Sequence, residues 1–229
     1  MTGGPGMEVF YSRLSEKISD LILAVIALGL LVVSVEYVQF LTDRPGTFAD
    51  PEFWKRIALA LLVTVFTAYK FVAYSAYFCD DANAARLAQL SPVRVILMFL
   101  CDLAQVMLVA WLYAVLLIGH LTSLGGREGA TEVTLGDNMI QFLFLFMALW
   151  HLAVLLWYIV ARGKWRDRAV HGGFSAAYLL AIGVLALVDG AGQRGLIDWG
   201  AIVFYGACVV LLYRIKAIPD IGNALRRSC

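Results

Sequence analysis

Four stretches of this chain, residues 21–41, 57–78, 95–118 and 139–161, run almost without charge for more than twenty residues each. The hydrocarbon core of a bilayer is about 30 Å thick, and about 20 residues of α-helix cross it. Inside hydrocarbon every backbone polar group must be paired within the protein, which leaves helices and closed barrels. These runs are continuously apolar and lack the alternation of barrel strands, so they read as helices. Two shorter runs follow, 174–188 ("FSAAYLLAIGVLALV") and 201–213 ("AIVFYGACVVLLY"). Both fall short of a full span by the same measure. Local thinning and interfacial anchors such as Trp199, Tyr205 and Tyr213 meet that mismatch. A re-entrant hairpin is the alternative for this last pair.

The expected fold class is an all-α, polytopic membrane helix bundle of six transmembrane helices. Residues 1–20 form an N-terminal tail with an interfacial helix, in which Phe10, Leu14 and Ile18 alternate with Arg13, Glu16 and Lys17. Residues 21–213 form the transmembrane domain, and 214–229 a basic tail. Asp50-Pro51 and Ser91-Pro92 each put a capping side chain before a proline at a helix start. Asp137 reads as the cap of the fourth span.

With six crossings, twelve of the 18 lysines and arginines fall on the side that holds both termini, and five on the other. Four of the twelve, Arg162, Lys164, Arg166 and Arg168, lie in what reads as the 162–172 loop. The positive-inside bias places both termini in the cytoplasm, and the protein in the cytoplasmic (inner or plasma) membrane. Net charge is only +1, which gives no electrostatic case for nucleic acid. The expected partners are the lipid bilayer and either a second copy of the chain or a larger membrane complex.

Three ionisable residues lie deep within the apolar runs. By helical rise, Lys70 lies about 12 Å from the terminal side, Asp102 about 10 Å and His151 about 15 Å. A charge near the bilayer centre costs at least ~2.5 kcal/mol. Lysine can reach only part of the way to the interface, and aspartate cannot reach it at all. The arrangement of lowest energy points Lys70 at Asp102 inside the bundle, with Gln105 and His151 completing the hydrogen bonds. Tyr74, four residues after Lys70, continues the polar stripe. Glu36, near the far end of the first run, marks an outer mouth beside Arg44, Lys55 or Arg56. Asp189, Arg194 and Asp198 read as solvated charges of a far-side turn.

Several chemistries lack their residues. The four cysteines, Cys79, Cys101, Cys208 and Cys229, are scattered, with no C-x-x-C and no zinc spacing. A haem held between helices needs two facing axial ligands, and His120 and His171 read as lying at opposite membrane faces, away from His151. No H-E-x-x-H, G-x-S-x-G or P-loop occurs. Ser175, four residues after His171, reads as a helix cap. No cofactor, metal or catalytic residue is assigned, and the balance lies against an enzyme.

The leading reading is a small channel or transporter that moves an ion, proton or small solute through the Lys70, Asp102 and His151 layer, supported by Gln105 and Tyr74. Alternatives are a non-catalytic scaffold or accessory subunit, and a membrane enzyme acting on a lipid or isoprenoid with Asp102 and His151 as acid and base.

Overall fold

The computed structural model describes residues 6–43, 48, 51–78, 89–124, 135–188, 194–219 and 221–222. Six long helices make up nearly all of them: α1 (Gly6–Asp43), α2 (Pro51–Phe78), α3 (Pro92–Leu124), α4 (Leu135–Val160), α5 (Trp165–Val188) and α6 (Arg194–Leu212). A π-helical turn, Tyr213–Ala217, continues α6. All six are long and apolar enough to cross a membrane. The chain is an all-α six-helix bundle.

The two short runs become full length because helix continues into their polar flanks. The fifth candidate span is Trp165–Val188 and the sixth Leu196–Ala217, so neither requires a hairpin. The stretch read as the 162–172 loop is helix from Trp165 onward. The reason is a tight turn at the end of α4. Gly163 N–H donates to Tyr158 O at 2.7 Å and Arg162 N–H to Ile159 O at 3.3 Å, which closes the helix end on itself. Arg162 takes the left-handed conformation at φ 54°. The chain reverses within four residues, and α5 packs along α4 from its first turn.

The amphipathic N-terminal segment runs into the first span as one helix, α1. The prolines at 51 and 92 each open a helix, where a missing N–H costs nothing. Asp137 lies within α4 instead of before it, because that helix begins at Leu135.

The most extensive interfaces are α3 with α4 and α4 with α5; α1 lies against α3 and α2, and α6 against α2. Lipid is as apolar as leucine, so close packing must hold such helices together. Gly29 of α1 illustrates this. A Cβ there would stand 2.5 Å from the ring of Tyr113 on α3. Contact between α5 and α6 is sparse. An apolar groove of about 380 Å³ lies between them, lined by Phe144, Ala177, Ala181, Gly200, Ala201 and Phe204.

The start of α1 packs near the end of α2, through Ile18, Ile22 and Tyr74, and the end of α6 bonds the start of α5, through Lys216 and Asp167; this end of the bundle is called here the terminal side. On the far side, Lys55 of α2 donates to Asp198 of α6 at 2.8 Å, and Lys55 is only 5% exposed. Asp198 is therefore not a solvated loop charge but a fastener between two helices. Among the described residues, Leu59, Val63, Leu112, Leu116, Leu143 and Phe144 are buried on the far side of Lys70, together with Tyr113, whose hydroxyl bonds to Thr67. The buried charges Lys70, Asp102 and Lys216 and the two buried histidines gather towards the terminal side.

Candidate functional site

The site grows from two helix faces. On α2, Leu59, Val63, Phe66, Lys70 and Tyr74 are buried at helical spacing. On α3, Asp102, Gln105, Val109 and Leu112 are buried in the same way. The faces meet, so the ionisable positions meet. Lys70 Nζ lies 3.8 Å from Asp102 Oδ1 and donates to Gln105 Oε1. Lys70 is 6% exposed and Asp102 1%.

Asp102 has further support. Tyr74 Oη donates to Asp102 Oδ2 at 3.2 Å, and Trp157 Nε1 of α4 donates to the same oxygen at 3.2 Å. The Lys70 ammonium also stands 4.6 Å from the centroid of the Tyr74 ring, where the ring quadrupole favours a cation. Lys70, Asp102, Gln105 and Tyr74 thus form one network, as expected from the sequence. Trp157 is an addition that sequence reading missed. Its polar N–H at a terminal-side depth, in an aromatic-rich apolar run, was the available signal.

His151 takes a different partner. Its Nδ1 is 3.0 Å from Nδ1 of His171 on α5, and both histidines are 1% exposed. It does not complete the Lys70–Asp102 bonds. The placement of His171 at a membrane face is corrected by the same observation, because α5 is already helical at Trp165 and carries His171 inward. Ser175 is corrected too: it sits inside α5 and donates to Ala148 O of α4 at 3.0 Å, with no capping role. Aromatic rings surround the pair. Phe174 stacks on His151 at 5.1 Å between centroids, and Tyr158 stacks on His171 at 5.6 Å. The edge of Trp150 faces both imidazoles.

A second ion pair closes the terminal-side end. Lys216 Nζ in the π-helical turn donates to Asp167 Oδ1 of α5 at 2.6 Å. The ammonium stands 5.3 Å from the centroid of Tyr158, the ring that covers His171. The sequence places Lys216 in a basic tail. The helical continuation through 217 turns it inward, where it is 7% exposed.

Among these groups lies a cavity of about 40 Å³, lined by Lys70, Asp102, Gln105, Trp150 and His171 with their neighbours. The Trp150 indole N–H is buried and finds no hydrogen-bond acceptor among the described residues. The side chain of Glu36, expected at an outer mouth, lies outside the described residues, as do those of Arg44, Arg194 and Asp189. Among the described residues no cluster of three or more histidine, cysteine or carboxylate side chains could hold a metal ion. Comparison with known protein families, curated proteins and solved structures gives no match.

Proposed function

We propose that the chain is a membrane transport protein whose cargo site is the Lys70–Gln105–Asp102 network, with His151 and its partner His171 beside it. One observation carries this reading. A lysine and an aspartate stand fully inside a membrane-spanning bundle, next to a small cavity whose lining includes Lys70, Asp102, Gln105 and His171. Intramembrane ionisable residues are costly, and they point to a functional site by default.

The distribution of polarity narrows the type of transport. The far-side half of the interior is filled by Leu59, Val63, Leu112, Leu143 and Phe144, with no polar lane from Lys55 down to Thr67 among the buried positions of α2. In this conformation the buried charges Lys70 and Asp102 lie towards the terminal side, behind the Lys216–Asp167 pair. A carrier that opens each side in turn suits that asymmetry better than an open channel. The terminal side is the cytoplasmic one by its lysines and arginines.

The test is flux in liposomes. Lys70→Met with Asp102→Asn removes both charges together, so no lone charge remains to unfold the bundle. The expected result is near-normal abundance with transport of protons, small ions and small solutes lowered at least tenfold. Unchanged flux for every species in the double variant would overturn the reading.

A second reading, an accessory subunit of a membrane complex, draws on the apolar groove between α5 and α6. Its small residues, Ala177, Ala181, Gly200 and Ala201, leave room for a partner's transmembrane helix. The same double variant separates the two, since an accessory subunit keeps its association when the charges are gone.

A further inference from the structure

The cargo site has a size and a chemistry, and together they limit what it holds. We propose that the cavity between Lys70, Asp102 and Trp150 is a binding site for water, and that the species this site handles is a proton. The proposal rests on the transport reading for its second half and on geometry alone for its first.

Size comes first. The cavity is about 40 Å³. About 10–15 Å³ of such space is enough for a water, whereas pockets for organic ligands begin near 300 Å³. The space suits water far better than a sugar, amino acid or nucleotide.

Hydrogen bonding comes next. The buried Trp150 N–H needs an acceptor. The Lys70–Asp102 separation of 3.8 Å is longer than a hydrogen bond, the situation in which a bridging water joins two polar groups. A water offers an oxygen to Trp150 or Lys70 and an O–H to Asp102. It satisfies both kinds of group at once, as buried waters do with two to four partners.

Charge comes last. Lys70 and Asp102 already neutralise each other, so a metal cation or halide would bring an uncompensated charge into a low-dielectric interior. A hard cation also wants six or more oxygen ligands, and the network offers only the oxygens of Asp102, Gln105 and Tyr74 beside an ammonium. A proton needs no new ligand set. The water oxygen takes a proton from the Lys70 ammonium as one of its own passes to Asp102 Oδ1, so the water is left unchanged and the step balances without any co-reactant. Tyr158 and His171 also line the cavity and lead towards Lys216 at the terminal side.

The experiment uses the full chain reconstituted in liposomes. Infrared difference spectra between two pH values are recorded in ordinary water and in ¹⁸O-water, and flux is read with an internal pH dye and with radioactive sodium and chloride. Two variants accompany the native chain. Ala73→Leu fills the cavity from α2, and Trp150→Phe keeps the ring but deletes the N–H. The expected result is an isotope-sensitive O–H band in the native protein, lost in Ala73→Leu and shifted in Trp150→Phe, with proton flux falling at least tenfold in Ala73→Leu. If that variant does not fold, the band shift in Trp150→Phe decides the matter. Absence of any isotope-sensitive band overturns the water site. Sodium or chloride flux that depends on Lys70 overturns the proton as cargo. A band that responds to both variants in a protein that moves nothing upholds the site and ends the carrier reading instead.

Discussion

His151 and His171 meet nitrogen to nitrogen, Nδ1 to Nδ1 at 3.0 Å, across the α4–α5 interface. One ring must donate and the other accept, so at least one of the two Nδ1 atoms carries no proton. The pair also joins the two helices through a bond that neither can make alone. Replacing only His171 by Phe strands a buried nitrogen, at about 1–3 kcal/mol. Replacing both by Phe removes donor and acceptor together and costs less than the sum of the singles. Denaturation of the four proteins in one detergent measures this. Strict additivity would mean that the two rings are stable independently of each other.

Lys70 and Asp102 lead to a related expectation with a larger amplitude. Asp102→Asn leaves an ammonium without its counter-charge, and Lys70→Met leaves a carboxylate without its ammonium, though still bonded by Tyr74 and Trp157. Breaking a buried pair from one side typically costs about 3–5 kcal/mol. Each single variant therefore lowers the folded fraction in the membrane. The double variant recovers most of it. Folded yield by size-exclusion profile checks the order, and a double variant worse than both singles would contradict it.

The parts of this site that the sequence reveals are those set by depth and helical spacing. Lys70 and Asp102 each interrupt an apolar run at nearly the same height, and Gln105 is one turn from Asp102, so their meeting follows from six crossings and the cost of a lone charge. His171 and Lys216 escape that logic. Each stands among lysines and arginines, and the charge pattern that orients the bundle also hides the fact that helix continues through both. The spacing of His171, Ser175 and Tyr178, all buried on one face of α5, was the available signal. The Lys55–Asp198 fastener joins positions 143 residues apart, and nothing local in a single sequence relates them.

Lys216 bonds Asp167 and stands over the ring of Tyr158, which lines the cavity, so a latch role for the bond makes a direct prediction. With the four native cysteines replaced, Ala73→Cys reports on the cavity wall. A membrane-impermeant thiol reagent on the terminal side labels it slowly while the latch is intact. Lys216→Gln is expected to raise the rate about tenfold, as the π-helical turn loses its hold on α5. Exchanging the two charges, Lys216→Asp with Asp167→Lys, restores slow labelling. Equal rates in all three proteins would show that the cavity is closed by something else.

Gly29 sets the distance between α1 and α3. Tyr113 cannot turn aside freely, because its hydroxyl shares a hydrogen bond with the buried Thr67 at 2.9 Å. Gly29→Ala places a methyl group against that ring, and overpacking of this kind costs about 1–3 kcal/mol. Shortening the obstacle with Tyr113→Leu in the same chain recovers part of the loss even though the Thr67 bond is gone. The comparison is of thermal midpoints in detergent. Equal midpoints for Gly29→Ala and the native chain would mean that α1 is free to move outward.

Arg162 and Gly163 are neighbours for which opposite effects are expected. Arg162 sits at φ 54°, a region that costs a side-chain-bearing residue about 1–2 kcal/mol and glycine almost nothing. Arg162→Gly should therefore stabilise the bundle by up to about 1 kcal/mol, because glycine also gains freedom in the unfolded chain. Gly163 has the reverse constraint. A Cβ there would stand 2.5 Å from Tyr158 Cδ1, pushing the ring that stacks on His171 and receives Lys216. Gly163→Ala is thus expected to lower the thermal midpoint, and also to speed labelling of Ala73→Cys, while Arg162→Gly leaves that labelling unchanged. A chain in which both substitutions shift stability in the same direction would show that the α4–α5 turn does not set the position of Tyr158.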